Sequence, residues 1–310
     1  MFCSPLRYPG GKSKLTAYVL ETMKLNGLEG GFYIEPFAGG CSIAWYLLLN
    51  GHVSKVYIND LDPAIHAFWY CVLYKTEELC QKIHTTPITM DEWYKQRDIY
   101  RSSPSDYLQL GFATFFLNRT NRSGIIKAGV IGGLSQNGNY KLDCRFNKER
   151  LIEQITAIAA KKDSIRLTNL DATQFIEEYL PDIQGKALVN IDPPYYVKGK
   201  GLYQNFFEHD DHYRLYESIK RINQPWIVTY DDTPEICGIY SEFEPESFGL
   251  TYTAQTKCKG SEVIIHSPNL LKTKFKPDVT FDEVRRYYRQ NLKVSSVSYT
   301  HLRAHETDSY

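Results

Sequence analysis

Short apolar runs rich in Val, Ile, Tyr and Phe alternate along the chain with longer segments whose apolar residues recur at the helical period. The short runs predict strands at Phe32–Glu35, Lys55–Asn59, Ser164–Leu170, Ala187–Ile191 and Trp226–Tyr230. The longer segments predict helices at Ser42–Leu49, Ala64–Leu73, Thr173–Leu180 and His209–Ile222. Such alternation is typical of an α/β fold, in which crossover helices cover a parallel sheet.

The alternation stops between about residues 75 and 162. Helical patterns at Met90–Arg101, Ser105–Leu117 and Lys148–Ala160 flank a loop rich in Gly and Asn over Asn118–Asn139. A long insert between two strands of one sheet indicates a mostly helical subdomain, at 76–162, carried by a core of residues 1–75 and 163–275. Further on, Phe248–Gln255 and Ser261–His266 predict an antiparallel hairpin at the sheet edge, and a helix is expected over 276–296.

Composition places the chain among ordinary globular proteins, since its 310 residues are 43% hydrophobic and 23% charged. No apolar run is long enough to cross a membrane, and the first residues lack the apolar stretch of a signal peptide. Seven scattered cysteines without a C-x-x-C pair indicate reduced thiols in a cytoplasmic protein and argue against a metal site. Residues 297–310 resemble a translated sequencing adapter and are left out of the fold prediction.

The net charge is zero, but positive charge is concentrated in the insert. Between Arg119 and Arg150 the basic residues are Arg119, Arg122, Lys127, Lys141, Arg145, Lys148 and Arg150, against the acids Asp143 and Glu149. A neutral protein with such a basic, glycine-rich insert can still bind phosphates locally. A solvated surface is the alternative that charge alone leaves open.

The tetrapeptide Asp192-Pro193-Pro194-Tyr195 directly follows the apolar run at Ala187–Ile191. The carboxyl end of a buried parallel strand is where open α/β sheets bind ligands. Two prolines remove two backbone donors, which leaves a carboxylate, carbonyls and an aromatic face. These groups suit a flat ring with an exocyclic amine, because Asp192 and the Pro193 carbonyl can accept its two hydrogens while Tyr195 stacks on the ring. A rigid turn is the plain alternative.

A second motif, Glu35-Pro36-Phe37-Ala38-Gly39-Gly40, follows the first predicted strand and opens a helix. Glycines at such a turn let the backbone approach a ligand closely. Asp60 ends the second strand, where α/β cofactor folds accept hydrogen bonds from ribose hydroxyls. Together these features predict a site for an adenosine-containing cofactor.

The segment Arg7-Tyr8-Pro9-Gly10-Gly11-Lys12-Ser13 invites comparison with a phosphate-binding loop. The G-x-x-x-x-G-K-[ST] pattern fails, because Leu6 stands where its first glycine belongs, and no strand precedes the segment. Tyr8 and Lys12 are therefore expected to close the charged end of the cofactor pocket. A basic amino-terminal arm is the alternative.

In their order along residues 5–270, these motifs resemble the D12 class of adenine-specific DNA methyltransferases. The resemblance implies a Rossmann-like sheet that binds S-adenosylmethionine, without a metal, and an inserted target-recognition subdomain that binds double-stranded DNA. It further implies transfer of a methyl group to N6 of a flipped adenine, with no covalent enzyme intermediate. It leaves open the recognition sequence and whether a cognate restriction endonuclease exists.

The resemblance also implies roles for individual residues. The catalytic residues it implies are Asp192, Pro193, Pro194 and Tyr195. The cofactor-binding residues it implies are Tyr8, Lys12, Glu35, Pro36, Phe37, Gly39, Asp60, Asp171, Ala172 and Asp192. The DNA-binding residues it implies are Asn118, Arg119, Asn121, Arg122 and Lys127.

Other functions are weighed against this one. Methylation of a glutamine side-chain amide is a related alternative, which Asp192 disfavours because the family that performs it has Asn at this position. Cytosine C5 methylation needs a Pro-Cys nucleophile, which the sequence lacks. A catalytically silent DNA-binding protein of the same fold is disfavoured by the complete Asp192–Tyr195 motif.

Overall fold

The computed structural model describes residues 4–7, 12–197, 207–253 and 257–291, with only the backbone at 250–253 and 257–260. Tyr8 and residues 297–310 lie outside the described residues. No helix among the described residues is both long and apolar enough to span a membrane.

A seven-stranded sheet forms the centre of the described structure, in the order β3-β2-β1-β4-β5-β7-β6. Its strands are β1 (Phe32–Glu35), β2 (Lys55–Asn59), β3 (Ile165–Thr168), β4 (Ala187–Ile191), β5 (Trp226–Asp231), β6 (Glu246–Thr253) and β7 (Lys257–His266). Strands β1 to β5 pair in parallel, and β7 is antiparallel to both β5 and β6. The predicted α/β class, parallel sheet and C-terminal hairpin are confirmed.

The chain reverses its direction of travel across the sheet between β1 and β4. From β1 it moves outward through β2 to β3, and it then returns to place β4 against the free side of β1, with Phe32 paired to Ala187 and Ile34 to Val189. Such a switch point opens a crevice at the carboxyl ends of the two central strands. The turn after Glu35 and the turn at Asp192 both begin there.

Helices cover the sheet and fill the insert between β2 and β3. They are α1 (Thr16–Leu25), α2 (Ser42–Leu49), α3 (Pro63–Tyr74), α4 (Thr76–Thr85), α5 (Met90–Ser102), α6 (Tyr107–Thr120), α7 (Lys148–Ala159), α8 (Ala172–Gln174), α9 (His209–Ile219), α10 (Pro234–Ile239) and α11 (281–291). Helix α8 continues into a π-helical turn at Phe175–Tyr179. Helix α6 runs three residues into the predicted loop, so Asn118 and Thr120 are buried helical residues.

The insert packs closely on the sheet-covering helices. Phe68 of α3 stacks on Phe115 of α6 with ring centroids 5.5 Å apart, and both belong to the core cluster that contains Tyr33 of β1. Buried aromatic pairs of this kind stabilise a helix interface beyond the area they bury. The insert and the sheet thus share one hydrophobic core. The division into a catalytic domain and a recognition subdomain stays a prediction.

Candidate active site

A cleft of about 900 Å³, including its open mouth, lies at the switch point of the sheet. Seven of the residues expected from the sequence line it: Lys12, Glu35, Phe37, Gly39, Asp60, Asp192 and Pro194. The two carboxylates that the sequence assigned to a cofactor and to a substrate, Asp60 and Asp192, therefore face the same cavity.

The turn after β1 wraps one wall of the cleft. Gly39 and Cys41 both have left-handed backbones, with φ of 47° and 49°, which lets the chain fold sharply into α2. The amide of Gly39 donates to Asp60 Oδ2 over 2.8 Å, and its carbonyl accepts from Trp69 Nε1 over 2.9 Å. Asp60 Oδ1 accepts from the amide of Asp62 over 3.0 Å. Asp60 thus holds the glycine turn in place from the neighbouring strand.

Two carboxyl groups of this wall are strongly desolvated. Burial raises the pKa of Asp60 to about 7, although the amides of Gly39 and Asp62 oppose the shift. Burial raises the pKa of Glu35 to about 8, and the nearby charge of Asp192 contributes in the same direction. A positively charged ligand in the cleft would favour the ionised form of both groups.

The polar groups of the cleft fit S-adenosylmethionine, which carries an amine, ribose hydroxyls and a positive charge. The side chain of Asn190 lines the cleft and is buried, and no described residue donates to its Oδ1. A buried acceptor without a donor is costly unless a ligand satisfies it. Asp60 and Asp62, in the turn between β2 and α3, add carboxylate oxygens to the lining of the cleft. Among the described residues, no group of His, Cys, Asp and Glu forms a metal site.

Asp192 lies at the end of β4 with its side chain 25% exposed toward the cleft. Its Oδ1 accepts from Thr229 Oγ1 over 3.0 Å and lies 3.3 Å from Lys12 Nζ. No described residue donates to Oδ2. Burial raises the pKa of Asp192 to about 6, although the ammonium of Lys12 opposes the shift. The carboxylate is therefore held by one oxygen and keeps the other for a ligand.

The rest of the motif is less exposed than the sequence suggested. Pro194 lines the cleft, whereas Pro193 and Tyr195 are buried. The hydroxyl of Tyr195 donates to Glu262 Oε1 over 2.7 Å and also bonds Lys12 Nζ. Stacking of the Tyr195 ring on a base stays a prediction, and the structure adds a role for its hydroxyl.

Strand β5 holds the turn after the motif. Asp231 accepts from the backbone amides of Tyr196 and Val197, over 2.8 and 2.9 Å, one with each carboxylate oxygen. Tyr196 in turn packs on His212, with ring centroids 5.1 Å apart. Burial lowers the pKa of His212 to about 4, so the ring packs as a neutral group. His212 thus supports the motif from behind.

Four functional candidates were missed from the sequence: Asn190, Thr229, Asp231 and Glu262. Thr229 lies near the end of the predicted strand Trp226–Tyr230 and Asp231 directly follows it, so their position at the ligand-binding edge was a usable signal. Glu262 is the one acid of β7 and directly precedes the apolar run Val263–Ile265, and this position was the only clue to it.

Asp171, Ala172 and Pro36 do not line the cleft. The carboxylate of Asp171 is exposed and caps α8 by accepting from the amides of Thr173 and Gln174. Ala172 is buried, and the carbonyl of Pro36 accepts from Asn59 Nδ2 over 3.0 Å. These three residues shape the backbone around the site, so their predicted contact with the cofactor gains no support.

Asn118 and Asn121 are buried and bonded within the protein. Asn118 accepts from the amide of Arg7 over 2.7 Å and donates to the carbonyls of Arg7 and Gly124, each over 2.8 Å. Asn121 accepts from Trp93 Nε1 over 2.6 Å and donates to the carbonyl of Ile126 over 2.8 Å. Both side chains fix the loop that follows α6, and their contact with DNA stays a prediction.

Arg122 and Lys127 are exposed on that loop, as a DNA contact requires. Arg119 is partly buried and donates to the carbonyls of Arg145 and Pro5. Burial lowers the pKa of Arg119 to about 10, and the positive charges of Arg7, Arg145 and Arg150 lower it further. No carboxylate of the described residues lies within 4.0 Å of Arg7, Arg119, Arg145 or Arg150, so their charge is left for an anion.

Comparison with known proteins defines the class that this fold and site indicate. A sequence model of the D12 class N6 adenine-specific DNA methyltransferases matches residues 8–257. The Type II methyltransferase M.MjaIII of Methanocaldococcus jannaschii is 25% identical over 242 residues, which cover 71% of this chain and 80% of that protein. The chain belongs to the D12 class of N6 adenine-specific DNA methyltransferases.

Proposed function

We propose that the chain transfers a methyl group from S-adenosylmethionine to N6 of one adenine in a specific sequence of duplex DNA. Membership of the D12 class supports the reaction. The observation that carries the assignment of the site is that Asp60 and Asp192 line the same cleft.

In this proposal the wall formed by β1 and β2 holds the cofactor. Bound S-adenosylmethionine supplies a methyl group already activated by a positively charged sulfur. Asp60 accepts hydrogen bonds from the ribose, while Glu35 and Asn190 face its polar end. Phe37 and Phe207, whose ring centroids are 6.0 Å apart, screen the cleft from water. Electrostatic interactions are stronger in such a partly closed site.

The turn after β4 receives the adenine. Asp192 and the carbonyl of Pro193 accept the two amine hydrogens, which directs the nitrogen lone pair toward the methyl group. The base must leave the duplex first, at a cost of roughly a few kcal/mol, as is general for DNA methyltransferases. Asp231 helps by fixing the backbone of the turn. Catalysis is then largely a matter of positioning.

Duplex DNA is held by the basic insert. Arg122 and Lys127 are exposed on the loop after α6, and Arg119 belongs to an arginine cluster whose charge favours phosphate. M.MjaIII is named a Type II methyltransferase, and we propose that this chain protects DNA beside a cognate restriction endonuclease. Its site of action would be the cytoplasm, where its substrate lies.

The assay is tritium transfer from labelled S-adenosylmethionine to DNA, followed by single-molecule sequencing of DNA from a methylation-free host. We expect label at N6 of adenine in one sequence context. Asp192→Ala should abolish transfer but weaken binding of S-adenosylhomocysteine by less than about tenfold. Asp182→Ala is the matched control, because Asp182 is exposed. Wild-type protein that binds duplex DNA without labelling any sequence would contradict the proposal.

A further inference from the structure

A buried polar network lies directly behind the catalytic turn. Lys12 comes from the 3₁₀ turn at Lys12–Leu15, Asp192 and Tyr195 follow β4, and Glu262 belongs to β7. The side chains of Lys12 and Glu262 are 5% and 0% exposed. Isolated charges at such burial are strongly unfavourable, so each must be matched inside the network.

The carboxylate of Glu262 bridges Lys12 and Tyr195. Its Oε2 lies 2.8 Å from Lys12 Nζ, and its Oε1 accepts from the Tyr195 hydroxyl over 2.7 Å. Lys12 Nζ also lies 4.7 Å from the centre of the Tyr195 ring. One carboxylate therefore fixes both the ammonium and the aromatic ring of the site.

Lys12 has two acidic neighbours and lies nearer to one of them. Its Nζ is 2.8 Å from Glu262 but 3.3 Å from Asp192 Oδ1. A charge-assisted hydrogen bond has its optimum at roughly 2.7–2.9 Å, so the stronger bond goes to Glu262. Asp192 is stabilised by the ammonium without being fully engaged by it.

We propose that Glu262 is a positioning residue for methyl transfer: it draws Lys12 away from Asp192 and anchors Tyr195, so that Asp192 stays free to bind the substrate amine. Glu262 is fully buried and acts only through its neighbours. The inference deepens the proposed function and rests on it. Without Glu262, the ammonium of Lys12 would pair with Asp192 alone and compete with the adenine amine.

The pH dependence of turnover separates this role from general support of the fold. The titratable and charged groups that act on Asp192, or that Asp192 acts on, are Lys12, Glu262, Glu35, Tyr33 and Tyr230. Among them, Glu262 raises the pKa of Asp192 by its negative charge. Its removal should lower that pKa, and the acidic limb of the kcat profile should move to lower pH. Loose packing alone would lower turnover equally at every pH.

The test compares Glu262→Gln, Lys12→Met and the double variant with the wild type. Glu246→Gln is the matched control, because Glu246 lies on the adjacent strand and pairs with Lys272 instead. We expect Glu262→Gln to lower kcat by about 30- to 100-fold, as a displacement near 1 Å in a site can do, with the KM for S-adenosylmethionine within threefold. The kcat of the double variant should be at most about threefold lower than the kcat of Lys12→Met, since Glu262 acts largely through Lys12.

Three results would overturn the inference. They are a Glu262→Gln enzyme within threefold of wild type, losses that multiply in the double variant, and an acidic limb that stays in place. If Glu262→Gln does not fold, the comparison of the double variant with Lys12→Met tests the inference, because the double variant removes both charges of the pair together. A wild-type protein that methylates no DNA would overturn the proposed function and this inference with it, whereas an active wild type with an unaffected Glu262→Gln enzyme would overturn the inference alone.

Discussion

The hydroxyl of Tyr195 bonds both Lys12 and Glu262, so its removal should lower the stability of the protein as well as its turnover. Tyr195→Phe takes a donor from a fully buried carboxylate, which costs about 1–3 kcal/mol. Urea denaturation measures the loss. Tyr213→Phe is the control, since Tyr213 is exposed, and it should leave the midpoint unchanged.

The same variant tests the aromatic ring. Tyr195→Phe keeps the ring and should retain more turnover than Tyr195→Ala, which also opens a cavity. Equal turnover of the two variants would assign the whole effect to the hydroxyl. A Tyr195→Phe protein as stable as wild type would show that Glu262 Oε1 is satisfied without it.

Glu35 and Asp60 make the stability of the free protein depend on pH. Burial raises the pKa of Glu35 to about 8 and that of Asp60 to about 7, so the folded protein keeps protons that the unfolded chain has released. The folded state then binds more protons than the unfolded state, and stability falls as pH rises through these values.

We therefore expect the Tm of wild type to fall between pH 6 and pH 9, and that of Glu35→Gln to fall less, because its amide does not titrate. Both proteins are compared by calorimetry in the same buffers. Parallel falls in the two proteins would mean that Glu35 does not contribute to the dependence.

At the scale of elements, α3 and α6 approach each other at Gly111. A Cβ at this position would lie 2.7 Å from the carbonyl oxygen of Ala67 and 3.0 Å from Phe68 Cα, so the two backbones must separate to admit it. Gly111→Ala should destabilise the protein by about 1–3 kcal/mol, despite the better helix propensity of Ala. Chemical denaturation measures the change.

Gly238 in α10 is the matched control for this substitution. A Cβ there meets nothing within 4 Å, so Gly238→Ala should stabilise the protein by up to about 1 kcal/mol from propensity alone. Similar changes for the two variants would mean that the α3–α6 crossing is not tightly packed.

The elements also show what the sequence pattern could predict. Strands β1, β2 and β4 have the bounds expected from their apolar runs, because each is a short buried segment closed by a turn. Helix α1 was missed, since residues 16–23 are all buried and leave no polar face to reveal the helical period. Helix α4 was missed as well, because only Leu79 and Ile83 mark its buried face.

At the scale of the whole molecule, topology decides which parts of the site could be foreseen. The convergence of Asp60 and Asp192 follows from parallel strands whose carboxyl ends share one edge, and pattern alone predicts it. The bridge between Lys12 and Glu262 joins residues 250 positions apart through the antiparallel strand β7. Nothing local in the sequence fixes that register, so only the folded structure shows the contact.

Charge is balanced over the whole chain but not around the insert, and we expect this difference to govern binding of DNA. Arg122 is exposed on the loop after α6. Contact of its guanidinium with a phosphate would release about one counterion from the duplex. Arg122→Ala should weaken binding and reduce the slope of log affinity against log salt concentration by about 0.9. Fluorescence anisotropy with a labelled duplex at several salt concentrations gives the slope. Arg221→Ala, which removes a charge already paired with Glu177, is expected to leave it unchanged, and an equal effect of both variants would remove Arg122 from the interface.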